Sequence, residues 1–282
     1  MPAQLAISPF GSSREAVLRL ARLAADAELD GLILGDGFVA TPNFPVWSGG
    51  VDCFVELAWL AGAVPMRSYG IDAVVAPLRD PRALAKQAAS LSAITENRAH
   101  VALTAGFWRQ DAELFGFDFD KRGERLDEAI SAMVAAHRGE AFDGKHWRWD
   151  APTTISPNHV MELPELWLSG HTATMRRAIE HNLAWQPTPL FPAELAPLAQ
   201  RYRDGGGRQL KVRARMSIET PVTRDGAIGF PYLTGDAQYL ADQLAEYEGL
   251  GADYISIVAG YDDASCAATI EALGVARQAL LA

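Results

Sequence analysis

KVRARMSI (211–218) and, after a stretch bearing Pro and Gly, DAQYLADQLAEYEGLGADYISIV (236–258) decide the fold. The first run reads as a strand. The second opens with a helix over 236–250, stopped by Gly251 as a C-cap, and closes with another strand over 254–258. Strand, helix, strand is a crossover unit, and crossovers of this kind join parallel strands. The same alternation continues in both directions. Toward the N-terminus, strands are predicted at 5–8, 32–34, 69–76, 99–103, 166–168 and, weakly, 184–185. Helices are predicted between them: one capped by Ser12 or Ser13, one over 51–63, one opened by Pro81, and others over 122–137, from Thr172, and over 193–202. A last helix is expected over 263–281. Eight units in order predict a single (β/α)8 TIM barrel, an α/β fold, spanning 1–282. Residues 140–163 and 219–234 fall outside the alternation and read as insertions. An open doubly wound sheet would normally carry a glycine-rich dinucleotide turn after the first strand, and Ser8-Pro9-Phe10-Gly11-Ser12 is no such turn.

Composition narrows the function classes. The chain has 282 residues and a formal charge of −10, from 35 acidic against 25 basic side chains. An acidic surface without a basic stripe argues against nucleic acid as a partner. The N-terminus lacks the basic and apolar regions of a signal peptide, and no apolar run approaches the ~20 residues of a membrane span. A cytoplasmic protein is the expectation, and two cysteines, Cys53 and Cys266, fit a reducing compartment as ordinary buried thiols. No metal site is expected: no His-x-His follows the first strand, and no carboxylate and histidine set converges elsewhere. No G-x-S-x-G elbow marks a hydrolase.

Barrel chemistry sits at the C-terminal ends of the strands. That rule selects Ser8, Asp36, Asp72 with Ala73, Thr104, Ser169-Gly170-His171, Gln186 and Glu219. Asp72 interrupts an apolar strand, so it must be hydrogen-bonded or stand at the mouth. Ser169, Gly170, His171 and Thr172 open a helix, where free N–H groups and the positive dipole end suit an anion. A helix start capped by Thr172 is the plain alternative. Phe38, Phe44 and Trp47 follow strand two, and Phe107 and Trp108 follow strand four. Clustered aromatics there can wall a substrate pocket around Phe38, Trp47, Phe107 and Trp108, or pack loops on the rim.

GFWRQDAELFGFDFDKRGERLDE (106–128) resembles the most recognisable stretch of the bacterial luciferase-like oxidoreductases, with its acidic-x-x-x-Phe-Gly run and Arg-Gly-x-Arg helix start. PLRDPRALAKQAASLSAITENR (77–98), PELWLSGHTATMRRAIEHNLAWQP (164–187) and LTGDAQYLADQLAEYEGLGADYISI (233–257) are similar to further segments of that family, in the family's order. The resemblance implies a cofactor, FMN or the deazaflavin coenzyme F420, with its phosphate on Ser169, Gly170, His171 and Thr172. It implies a bulge with a non-prolyl cis peptide at Asp72-Ala73 under the ring, and a cofactor contact at Thr104. Two departures stand out. Ala105 occupies the place where the luciferases carry a phosphate-binding arginine, and Gly37 follows Asp36 where many relatives carry a histidine. Asp36 is then a candidate acid or base if burial raises its pKa, or a loop anchor, and His171 is the best replacement histidine.

The resemblance implies a monooxygenase that uses reduced FMN, supplied by a separate flavin reductase, and dioxygen on a small organic substrate. The alternatives are F420-dependent hydride transfer and a flavin- or ligand-binding barrel without catalysis. By the same likeness a homodimer is expected, with the apolar segment 51–64 available as its face.

Overall fold

The computed structural model describes residues 2–9, 11–38, 51–150, 162–218, 230–260 and 262–281. Trp47, Phe44 and Glu219, singled out by sequence, lie outside the described residues. The elements run β1 (Gln4–Ser8), α1 (Arg14–Asp26), β2 (Gly31–Leu34), α2 (Cys53–Ala63), β3 (Ser68–Val75), α3 (Pro81–Ile94), β4 (Ala99–Thr104), α4 (Arg109–Leu114) and α5 (Arg122–Arg138). They continue with β5 (Phe142–Asp143), β6 (Arg148–Trp149), β7 (Glu165–Ser169), α6 (Thr172–Glu180), β8 (Ala184–Gln186) and α7 (Pro192–Asp204). Last come β9 (Leu210–Ser217), β10 (Leu233–Thr234), α8 (Ala237–Gly249), β11 (Ala252–Ala259) and α9 (Asp263–Leu281).

Eight strands close into a parallel barrel in the order β1, β2, β3, β4, β7, β8, β9, β11, and β11 returns to β1. The β8–β9 seam is the shortest, with Trp185 opposite Leu210 as its one registered pair. Closure pairs the first barrel strand with the last, and the predicted (β/α)8 barrel is the observed architecture. The sequence reads the insertion at 140–163 as a loop or hairpin, whereas β10 and α4 lie outside the sequence reading. Strand β10 adds to the barrel sheet by pairing in parallel with Met216 and Ser217 of β9. Strands β5 and β6 form a separate antiparallel hairpin, and α4 is a short helix in the loop after β4.

Local chemistry sets the helix ends. Ser13 accepts a hydrogen bond from Ala16 N at 3.1 Å, Asp52 from Phe54 N at 3.0 Å, and Asp236 from Tyr239 N at 2.9 Å. Each satisfies an N–H that the helix itself leaves free. Helix α5 stops at Gly139, which takes a left-handed conformation at φ 70°.

Two cores result. Between strands and helices pack Leu5, Leu32, Ile71, Val101, Leu166, Val212 and Ile255. Inside the barrel lies a smaller cluster of Ala6, Ile33, Ala73, Ala102, Trp167, Ala184 and Tyr254. Strand β9 shows how one sequence serves both. Val212, Ala214 and Met216 belong to the helix-facing core, so Lys211, Arg213, Arg215 and Ser217 face the lumen. Among the described residues no helix is long and apolar enough to cross a membrane.

Candidate active site at the barrel mouth

The polar centre of the lumen is Asp72, which is fully buried. Its peptide bond to Ala73 is cis, and the β3–β4 register slips between Asp72 and Val74, so one extra residue bulges inward there. The Asp72 carboxylate collects donors from three other strands. His100 Nε2 lies 2.9 Å from Oδ1; the Gln186 side-chain amide donates to Oδ2 at 2.9 Å, and the Ser256 hydroxyl donates to the same oxygen. Burial pushes the Asp72 carboxyl up, but the charge and hydrogen bond of His100, the Ser256 bond and the charge of Arg213 together hold it below the usual carboxylate range. Asp72 is therefore held as an anion.

Beneath it, His100 stacks on Trp167 with ring centroids 3.6 Å apart, and Tyr254 meets both rings edge-on. Gly70 makes this possible: a Cβ there would lie 2.1 Å from the His100 ring. At the base, Lys211 Nζ sits 4.9 Å over the Trp167 ring and 3.0 Å from Asp253 Oδ1. Above Lys211 come Arg213, half-buried, and Arg215, 8% exposed. Arg215 lies over the Tyr232 ring at 4.6 Å.

Gln186 links this network to the α6 turn. Its side chain holds Asp72, and its backbone carbonyl accepts from Gly170 N at 3.0 Å. Gly170 has φ 152°, a region that disfavours side chains, and a Cβ there would lie 2.4 Å from Thr174 Oγ1. The N-cap of α6 is His171, not Thr172, and it makes no side-chain cap bond. Its ring is exposed and points Nδ1 at Thr188 Oγ1, 3.2 Å away. Among the described residues, the N–H groups of Thr172 and Ala173 have no acceptor. Ser169 is buried at the strand end, and Thr172 is exposed.

Asp36 stands on another side of the rim, just after β2, and its contacts are those of the loop anchor that the sequence reading set beside proton work. Arg79 grips both carboxylate oxygens, Nη1 at 2.6 Å from Oδ2 and Nη2 at 2.8 Å from Oδ1. Val75 N adds a bond at 3.0 Å, and the Cys53 thiol points at Oδ1 from 3.6 Å. The two-pronged guanidinium fixes the orientation of the carboxylate. Burial, reinforced by the Asp36 charge, pushes the Cys53 thiol well up, so it stays protonated. Thr104, opposite Val75 in the β3–β4 ladder, accepts weakly from Gly106 N at 3.4 Å. Of the aromatics, Phe38 is exposed and meets Phe115 edge-on at 4.6 Å, and Phe107 and Trp108 lie 4.6 Å apart.

The structure thus gathers Asp72, Ala73, Ser169, Gly170 and Gln186 around one wall of the mouth, and Asp36 with Thr104 around another. The sequence reading did not single out Arg79, His100, Arg213, Arg215 or Ser256 as members of these clusters. For β9 a signal existed. A parallel strand buried on both faces should be almost continuously apolar, whereas Lys211, Arg213 and Arg215 alternate with Val212, Ala214 and Met216.

This chain belongs to the luciferase-like monooxygenase family, whose sequence model matches residues 3–223. It is 32% identical to an uncharacterised protein of Mycobacterium tuberculosis over 155 residues, covering 54% of this chain and 53% of that protein. It is also 26% identical over 141 residues to the oxygenase component of a flavin-dependent trigonelline monooxygenase of Acinetobacter baylyi. That match covers 49% of this chain and 39% of the relative, so matches to curated relatives span about half of their length or less. The fold is similar to that of an F420-dependent secondary alcohol dehydrogenase solved with an F420-acetone adduct, at a TM-score of 0.81 and 13% identity, covering 98% of each chain.

Proposed function

We propose that this protein is a luciferase-like monooxygenase that uses reduced FMN and dioxygen to oxidise a small organic substrate at the mouth of the barrel. One observation carries the reading: the α6 turn offers two N–H groups that have no acceptor among the described residues, and no competing side-chain cap. Such a turn fits phosphate oxygens, since donors and dipole point outward together. Ser169, Gly170, His171 and Thr172 would hold the phosphate, and Asp72, Ala73 and Thr104 would lie along the ring. When bound, reduced FMN supplies the electrons that activate dioxygen.

The chain's own residues do the rest. Asp72, fixed by three donors, sets the floor of the mouth, and Ala73 keeps that floor small. Gln186 couples the floor to the phosphate turn, so the two ends of the cofactor site keep a fixed spacing. His171, exposed at the rim beside Thr188, is the imidazole we assign to proton exchange with solvent. Phe38, Phe107 and Trp108 wall the approach and exclude water, and Trp47 belongs to the same proposal. A separate flavin reductase would supply the cofactor in reduced form, as the phrase "oxygenase component" in the relative's name suggests. Exposed Val51, just before α2, and Val55 within it support a homodimer.

The second reading is F420-dependent hydride transfer. It is favoured by Ala105, which stands where the luciferases place a phosphate arginine. Titrating the purified protein with FMN and with F420, each oxidised and reduced, separates the two by fluorescence. Micromolar binding of FMN is expected. Selective binding of F420 would install the second reading, and binding of neither by folded protein would leave a barrel without this chemistry.

A further inference from the structure

Strand β8 is the shortest of the barrel strands, and its two faces reach the α6 turn by different routes. Gln186 turns into the lumen, where its side-chain amide holds Asp72, while its backbone carbonyl accepts from Gly170 N at 3.0 Å. Trp185 turns the other way, into the helix-facing core, as neighbours on a strand must. It is fully buried, with its ring centroid 5.2 Å from that of Tyr202. Its indole N–H donates to the carbonyl of Gly170 at 3.0 Å. Just beyond the strand, Thr188 Oγ1 lies 3.2 Å from Nδ1 of the His171 ring. The peptide groups on both sides of Gly170 are therefore held by β8, each by one of two consecutive residues.

The bond to the carbonyl also aims a donor. The peptide that joins Gly170 to His171 is trans, and in a trans peptide the C=O and the N–H point in opposite directions. Trp185 draws the Gly170 oxygen into the core, so the N–H of His171 faces away from the core, at the start of α6. Glycine has the widest backbone freedom of any residue, so the tilt of this peptide has to be fixed from outside. The indole does that. A buried indole N–H takes an acceptor wherever one is within reach, and a bond that served only this need would leave ligand binding indifferent to its loss.

We propose that Trp185 is a positioning residue for the cofactor phosphate: by holding the Gly170 carbonyl inward, it presents the His171 N–H as a third donor beside those of Thr172 and Ala173. The inference rests on the reading of the α6 turn as the phosphate site.

Fluorescence titration with FMN and with riboflavin, which has the ring without the phosphate, separates positioning from packing. Trp185→Phe keeps an aromatic ring beside Tyr202 and removes the donor. It should weaken FMN binding about tenfold, the worth of one hydrogen bond to a charged group, and leave riboflavin binding unchanged. Tyr202→Phe is the packing control. It removes the bond from the Tyr202 hydroxyl to the Leu183 carbonyl at 3.2 Å and leaves the turn alone, so it should lower Tm and retain FMN affinity. The parent protein gives a second readout, which does not depend on a variant that folds. In its amide NMR spectrum the resonances of His171, Thr172 and Ala173 should all move downfield when FMN is added, and riboflavin should not move them.

Unchanged FMN affinity in Trp185→Phe, equal weakening of FMN and riboflavin, or equal weakening by the two variants would overturn the proposal alone. A His171 amide that stays in place while those of Thr172 and Ala173 move would do the same. A folded parent protein that does not bind FMN, with none of the three amides responding, would take down the phosphate reading and the proposal together.

Discussion

Replacing Asp36 by Asn tests the assignment of that residue as an anchor. The substitution keeps the shape and removes the charge that Arg79 grips at 2.6 and 2.8 Å. Both side chains are deeply buried, 4% exposed for Asp36 and 12% for Arg79, so solvent does little to soften the loss. Stranding one member of a buried pair costs about 3–5 kcal/mol. Asp52, 3.7 Å from Arg79 and 42% exposed, remains as a weaker partner and brings the expected cost to the lower end. At the unfolding entropy typical of a chain of this size, about 3 kcal/mol corresponds to a fall of about 5 °C in Tm.

Differential scanning calorimetry or a circular-dichroism melt measures that fall. A double variant, Asp36→Asn with Arg79→Met, should recover much of it, because removing both charges leaves none stranded. A Tm within about 1 °C of the parent for Asp36→Asn, against the shift expected from buried pairs, would refute the reasoning. It would return Asp36 to the list of candidate acids and bases.

Two further outcomes follow from the same geometry. Asp72 is held below its unfolded carboxylate pKa, so its contribution to stability is fully present above about pH 4 and is lost as pH falls through the lower folded value. In acid melts the stability advantage of the parent over Asp72→Asn should shrink below about pH 4, and an advantage that stays constant down to the acid limit would contradict the account. Gly170→Ala should destabilise by about 1–3 kcal/mol from backbone strain, and Thr174→Ala should relieve only the steric part, since the contact at 2.4 Å is with Thr174 Oγ1. Full rescue by Thr174→Ala would show that φ 152° costs nothing there.

The sequence by itself determined the order of strands and helices, and through it the barrel. Those signals are local. A run such as Tyr254–Val258, an Asp236 cap or a Gly251 stop acts within a few residues, and eight parallel crossovers in series leave few ways to close. It also located the α6 turn, which rests on a handful of adjacent residues, whereas the Asp72-Ala73 bulge was implied by the family resemblance. What it left open was which side chains meet. Asp72 is joined to His100, Gln186 and Ser256 across sequence separations of 28, 114 and 184 residues.

Asp36 shows the same limit. The sequence offered both acid and anchor, and it did not contain the grip of Arg79, 43 residues away, on both oxygens. Whether a carboxylate moves protons depends on what surrounds it, and only closure of the barrel sets those surroundings. Strand β9 lies between the two cases. The alternation of Lys211, Arg213 and Arg215 with apolar residues is written in the chain, but only the tertiary structure turns it inward.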